Sequence, residues 1–225
     1  MNRFQLKKNT ESDCRFCGFF SGDVQARLVD SPWLADESYA ALASIGSIVP
    51  GWSLVSPKAH VLNLAAEYQK ESFWKFTDDA VRAVTSEYGS VTVFEHGSCS
   101  SQSLTSCGTV HAHLHVVPLA FSLVDAAVRY DRSVSWAKCL ASDVKSYSNG
   151  REYLFVSDEY RSSETAGFIL ILEKETSQFF RRVIASAIGE PDKFDYKKYD
   201  FLGRAEETAE TLSRHYQLNA TRVAY

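Results

Sequence analysis

No stretch of this 225-residue chain approaches the roughly 18 consecutive apolar residues that a membrane-spanning helix requires. Its opening residues, MNRFQLKKNTESDC, contain no hydrophobic segment of the secretory kind. The expected location is therefore the cytosol, with no membrane partner. Cysteine is scarce and odd in number. The five (Cys14, Cys17, Cys99, Cys107 and Cys139) show no disulfide-framework spacing. A basic stripe is also missing: formal net charge is −4, and basic residues gather only in pairs such as Lys7-Lys8, Arg181-Arg182 and Lys197-Lys198. A binder of long nucleic acid neutralises many phosphates with clustered Lys and Arg, so a small nucleotide suits this charge balance better than a polymer. Neither an internal repeat nor a low-complexity tract appears. That leaves one large domain, or one domain with an appended half.

What is present is a core. Hydrophobic residues make up 45% of the chain and aromatics 13%, enough to bury a sizeable interior. Residues 38–55 alternate small and apolar side chains around Val49-Pro50-Gly51, which predicts two strands about a turn. In 66–88, Phe73, Phe76, Ala80, Val84 and Tyr88 recur at spacings of three or four, which predicts a helix ended by Gly89. A short strand over 90–94 and a Ser-, Gly- and Cys-rich loop over 97–108 follow, then a strand over 110–117 stopped by Pro118. In the second half, 124–140 reads as partly helical, and 153–156 and 168–172 read as strands. Ser177 can cap a helix running to Ile188 that buries Phe180, Val183, Ile184 and Ala187, with Gly189 and Pro191 ending it. A last helix is expected over 204–216. The Ser148-Asn149-Gly150 turn marks a soft boundary between 120 and 150. The class is α+β.

The informative segment is His111-Ala112-His113-Leu114-His115-Val116-Val117-Pro118, with three of the six histidines at i, i+2 and i+4. Strand side chains two apart share a face. The three imidazoles then look one way, while Ala112, Leu114 and Val116 look into a core. Grouped imidazoles can attack phosphorus and leave again, shuttle a proton, or hold a charged oxygen. A metal-binding strand and a chance cluster are the alternatives, and alternation on an apolar strand makes chance the weakest. Cys14-x-x-Cys17 suggests metal or redox chemistry. No thioredoxin-like βαβ unit follows it, so metal stands ahead, and a tetrahedral site needs two further ligands.

His-x-His-x-His followed by two apolar residues resembles the histidine-triad motif. Upstream, Val49-Pro50-Gly51-Trp52-Ser53-Leu54-Val55-Ser56-Pro57-Lys58-Ala59-His60 is similar to that family's strand–turn–strand ending in Pro-Lys-x-His. Cys14-x-x-Cys17 resembles the zinc half-site of many members. The resemblance spans 14–118 and implies a small antiparallel sheet flanked by helices. It implies a nucleophilic middle histidine, here His113, that attacks the α-phosphorus of a nucleotide and forms a nucleotidyl-histidine. His115 would bind the phosphate or relay a proton. His111 would either join the catalytic set or, with His60, complete a structural zinc site with Cys14 and Cys17. Backbone amides near Gly108 and Thr109 would stabilise charge on the phosphoryl oxygens, Gly108 permitting close approach.

The departures are specific. Ser44 stands where many short members carry a ribose-binding Asp, and it can still hydrogen-bond a hydroxyl. Ser106-Cys107 replaces a Gly-Gln pair, and Trp52 replaces the His of Pro-Gly-His. The loop before the triad is longer, and its Gln102 is a candidate substrate contact. Phe94-Glu95-His96-Gly97, then Cys107-Gly108 before the triad, is similar to a divergent branch near the CwfJ-type proteins and bacterial histidine-triad nucleotide hydrolases. So is Ser177-Gln178-Phe179-Phe180-Arg181-Arg182-Val183-Ile184 followed by Asp195-Tyr196. The expected organisation is a catalytic core with its zinc element over 1–120 and a C-terminal α/β extension over 121–225 packed on it. The stripe around Phe180 needs a covering surface, either the first half or a second copy of the chain, which leaves a homodimer open. Arg181 is a candidate phosphate ligand through its planar fork of donors; the alternative is a solvated pair with Arg182. Two functions follow. One is a nucleotide hydrolase or nucleotidyl transferase cleaving a phosphoanhydride or phosphoramidate. The other is a non-catalytic module holding a nucleotide, RNA or a partner in the same pocket. The intact triad favours the enzyme.

Overall fold

In the computed structural model, residues 14–22, 27–105 and 109–222 are described. The chain begins with a short helix, α1 (Arg15–Ser21), and three strands, β1 (Leu34–Ala35), β2 (Tyr39–Ala43) and β3 (Ser53–Pro57). The long helix α2 (Glu71–Tyr88) leads into β4 (Val91–Gly97) and β5 (Leu114–Pro118). The second half supplies α3 (Leu123–Tyr130), β6 (Ala137–Leu140), α4 (Val144–Ser148), β7 (Tyr153–Ser157), β8 (Ala166–Ile171), α5 (Phe179–Ala187) and α6 (Leu202–Arg222). These strands make one antiparallel sheet in the order β1-β2-β3-β5-β4-β7-β8-β6. The chain has the expected α+β architecture, an antiparallel sheet flanked by helices. No helix among the described residues is long and apolar enough to cross a membrane.

Strand alternation divides the interior into two cores. On one face, Val55, Val93, Leu114, Val116 and Phe155 pack beneath Phe73, Phe76, Ala80 and Val84 of α2. On the other, Leu54, Phe94, Val117, Leu154 and Val156 pack beneath Leu123 of α3 and Phe180, Val183 and Ile184 of α5. β7 pairs directly with β4, Phe94 facing Val156 and His96 facing Leu154, so the second half continues the same sheet. The turn between β2 and β3 depends on Gly51. Its φ is 78°, and a Cβ there would press into the Tyr88 ring and Pro118.

Several expectations need correction. The triad segment joins the ladder only from Leu114. Before it, the Ala112 N–H donates to the Val61 carbonyl and the His111 N–H to the Thr109 carbonyl, which draws 110–113 out of strand pairing. Residues 137–140, expected within a partly helical stretch, form the edge strand β6, because α3 has already ended at Tyr130. The N-cap of α5 is Gln178 at φ 56°, not Ser177, and no side chain caps it. Within α5, Phe180, Val183 and Ile184 are buried as predicted, whereas Ala187 is exposed and Ala185 takes a buried place. α2 begins at Glu71 because a 3-10 turn occupies Glu67–Gln69.

Candidate active site

α1 sets the first corner. Cys14 is its N-cap and Cys17 follows within the first turn, so both thiols lie on one side. Cys14 Sγ is 3.4 Å from His111 Nδ1, and Cys17 Sγ is 3.3 Å from His60 Nδ1 and 3.6 Å from His111 Nδ1. The four ligand atoms all lie within 4.8 Å of one another, a group that could hold a metal ion. Tetrahedral zinc with bonds of about 2.0–2.3 Å sets ligand atoms roughly 3.3–3.8 Å apart, and the three short separations, 3.3, 3.4 and 3.6 Å, fit that geometry. His111 Nε2–H donates to the Pro57 carbonyl at 2.7 Å, which turns the Nδ1 lone pair toward the sulfurs. Burial pushes the His111 pKa down to about 4, and the neutral ring is the form that ligates.

The next two histidines are fixed in complementary tautomers. His113 Nδ1 lies 2.8 Å from the His111 carbonyl. A carbonyl only accepts, so Nδ1 carries the proton and Nε2 keeps its lone pair. Burial pushes the His113 pKa below its ordinary value; that hydrogen bond opposes the shift and the Arg181 charge adds to it. Trp52 Nε1–H donates to His115 Nδ1 at 2.9 Å. An indole N–H only donates, so the His115 proton sits on Nε2. The His115 ring stacks on Phe94, with centroids 4.3 Å apart, and meets the His113 ring at 4.7 Å. Burial, reinforced by His113, His96 and Arg181, holds His115 well below the usual imidazole pKa.

Arg181 completes the polar wall. It is buried, donates from Nε to the Phe194 carbonyl at 3.0 Å and from a terminal nitrogen to the Gly46 carbonyl, and lies 4.8 Å over the Trp52 ring. Gly46 allows this approach: at φ 74°, any Cβ would collide with Tyr196 and Arg181. The expectation of a solvated arginine pair is thus overturned for Arg181, while Arg182 lies over Phe194 at 3.8 Å. The cleft beside these groups is lined by Phe16, Phe19, Val29 and Leu54 on its apolar side, and by Asp30, Ser44, Thr109, His113, His115 and Arg181 on its polar side. Ser44 is buried, its hydroxyl donating to the Ile45 carbonyl at 3.2 Å.

The structure therefore brings together His111, His113, His115, Ser44, Thr109 and Arg181, with Cys14, Cys17 and His60 at the adjoining corner. Gln102 is not brought in. It is exposed and outside the cleft lining, in a stretch folded on itself by bonds among Ser98, Ser100 and Gln102. Gly108, with Ser106 and Cys107, lies outside the described residues. Sequence reasoning missed Phe16, Phe19 and Asp30. The two aromatics carried a signal, since they flank Cys17 in an aromatic cluster over residues 14–20. Asp30 carried none. It sits in a 3-10 turn, buried, held by Arg15 and by Arg27 at 2.9 Å.

Comparison with known proteins adds to this geometry. The protein named hit from Bacillus subtilis is 30% identical over 112 residues, 47% of this chain and 70% of that protein. The chain belongs to the histidine-triad family. Among solved structures, it overlays with a hypothetical histidine triad nucleotide-binding protein from Sulfolobus tokodaii, at 16% identity over 89% of this chain and 95% of that one, TM-score 0.37. A Hit-like protein involved in cell-cycle regulation from Bartonella henselae matches at 20% identity over 48% and 80%, TM-score 0.38. A HIT family hydrolase from Clostridium thermocellum matches at 20% identity over 50% and 96%, TM-score 0.35. Overlaps this loose bear on neither substrate nor mechanism. No protein-family model matches the chain.

Proposed function

We propose that this protein is a nucleotide hydrolase or nucleotidyl transferase that cleaves a phosphoanhydride or phosphoramidate through a nucleotidyl-histidine at His113. The observation that carries this reading is the pair of tautomers: a bare Nε2 lone pair on His113 beside an Nε2–H on His115. A module that only holds nucleotide, RNA or a partner has no use for a nucleophile and a donor fixed side by side.

The steps follow from those atoms. His113 Nε2 forms a bond to the α-phosphorus as the bond from phosphorus to the leaving group breaks. The leaving group departs with that electron pair; a phosphate leaves as the anion and an amine takes a proton from solvent. His115 donates its Nε2–H to a phosphoryl oxygen. Because Trp52 holds the opposite nitrogen as an acceptor, His115 serves as a fixed donor rather than a relay. The Arg181 cation and the Thr109 backbone face the same growing negative charge. Water, or another acceptor, then attacks phosphorus and releases its proton to solvent, the N–P bond breaks, and His113 regains its lone pair. Phe16, Phe19 and Val29 offer an apolar surface to the base, and Ser44 with Asp30 offers polar contacts to the sugar.

Cys14, Cys17, His60 and His111 would hold zinc, which supplies structure. His111 would give Nδ1 to the metal while its carbonyl orients His113. The thiol pair suits a reducing compartment such as the cytosol. The test is a hydrolysis screen with dinucleoside polyphosphates and nucleoside phosphoramidates. Wild-type protein should release a nucleoside monophosphate from at least one of them, and His113→Ala should not. Turnover by His113→Ala at the wild-type rate would end this assignment.

A further inference from the structure

β4 carries a histidine that the mechanism above leaves unused. The β4–β5 register pairs Val93 with Val116 and Phe94 with His115. Two residues past Phe94 in the same strand, His96 lies on the face that carries Phe94 and His115. His96 is only 8% exposed. Its ring meets His115 edge-on at 5.8 Å between centroids, Phe94 at 5.7 Å and Phe180 at 5.2 Å.

Its two nitrogens differ. Nε2 accepts the backbone N–H of Phe180 at 3.3 Å, one of the donors that the start of an α-helix leaves without an intrahelical partner. The ring proton is therefore on Nδ1. That Nδ1–H is buried and has no hydrogen-bond partner among the described residues. Buried donors without partners are rare in folded proteins, and each one needs a reason. Burial, then the charges of His113 and Arg181, hold the His96 pKa near 3. The ring thus stays neutral and moves no proton during a reaction at ordinary pH.

We propose that His96 is a fourth histidine of the site, a fixed neutral donor whose Nδ1–H binds a phosphoryl oxygen of the nucleotide held over His113. This rests on the nucleotide reading above. A phosphoryl oxygen fits because it is an anionic acceptor, and a neutral N–H accepts such a partner without a like-charge penalty beside Arg181. The inference also gives α5 two tasks at the site. Its Phe180 N–H fixes the tautomer of His96, and the next residue, Arg181, brings the cation.

Long-range proton–nitrogen spectra of the histidine side chains, recorded on the full chain, read the tautomers directly. The probes are the four 5′-mononucleotides. His96 should appear as the Nδ1–H tautomer at the start, and its Nδ1–H signal should move downfield, together with the His113 signals, when the tightest-binding mononucleotide is added. His96→Asn keeps a side-chain N–H and an acceptor for Phe180, and should bind within about threefold of wild type. His96→Leu keeps neither and should bind about ten- to a hundredfold more weakly. If the mononucleotide shifts His113 and His115 while His96 stays unmoved, or if His96→Leu binds as well as wild type, this proposal is overturned and the nucleotide reading stands. If no mononucleotide perturbs His113, both fall together.

Discussion

The two faces of β5 are built by opposite rules. Toward α2, Leu114 and Val116, together with Ala112 just before the strand, lie in hydrocarbon with Phe73 and Val84. Toward α5, Val117 still packs in hydrocarbon, but His115, together with His113 just before the strand, sets beside it rings whose nitrogens are each assigned by a hydrogen bond. The first face needs volume, and α2 supplies it from the chain just upstream. The second needs particular atoms, delivered from far apart: Cys14 and Cys17 from α1, Trp52 from a turn, His96 from β4 and Arg181 from α5. Stability and chemistry are thus separated across the thickness of one strand, with a side-chain period of two as the only partition.

Neighbouring substitutions break the comparison most sharply. His113→Ala should cut turnover by about a thousandfold or more while shifting the melting temperature little, since the position borders the cleft. Leu114→Ala, one residue on, should cost about 2–5 kcal/mol of stability and leave the turnover of the folded fraction near wild type. Rates and melts of the two variants together decide the point; equal effects on both quantities would erase the distinction.

Next in size is the metal corner, where both rules meet. Protein purified without chelator should carry close to one zinc per chain. Cys17→Ser should lose it and melt at lower temperature, because structural metal contributes to folding free energy. It should also slow turnover by about tenfold or more, since His111 both faces the thiols and orients His113. Elemental analysis that finds no metal would remove this link.

Trp52→Phe keeps the ring and deletes the donor to His115. Turnover should fall about tenfold, and nitrogen shifts should show His115 in mixed tautomers. An unchanged rate would mean that the indole N–H is only packing.

The smallest expected effect lies on the α2 face. The Glu95 carboxylate accepts from Leu64 N–H and from the Tyr68 and Tyr153 hydroxyls, yet burial raises its pKa from 4.5 to about 7. The folded state thus holds this proton more tightly than the unfolded one. Its contribution to stability is complete below about pH 4.5 and is lost as pH rises through 7. Glu95→Gln cannot titrate, so unfolding free energy measured from pH 5 to 8 should decline less steeply in that variant. Parallel slopes would place the titration elsewhere.

Much of this was legible in the sequence because it was local. The Pro50-Gly51 turn, the stripe of α2 and the alternation of His111, His113 and His115 with Ala112, Leu114 and Val116 are all short-range patterns. The four atoms at the metal corner come from one local motif, Cys14-x-x-Cys17, and from two histidines that the family resemblance supplied. What stayed hidden depended on partners distant in the chain. His96 could be quoted within Phe94-Glu95-His96-Gly97, but nothing local says that its ring meets His115; the pairing of β4 with β5 decides that. Asp30 sits in a turn without periodicity. β6 is a four-residue edge strand whose partner lies beyond α4 and β7, so a helical pattern in 124–130 was carried on too far. Gln178 enters α5 through a left-handed conformation that its residue type does not announce.

The central claim is a covalent one, that a nucleotide is held on His113 Nε2. The direct measurement is acid-free, rapid-quench peptide mass mapping after incubation with the substrates that turn over. The expected result is a nucleoside monophosphate adduct on the peptide carrying His113, present in wild type and absent from His113→Ala. Turnover without any adduct on a time course that resolves the first cycle, or an adduct on another residue that survives His113→Ala, would contradict it.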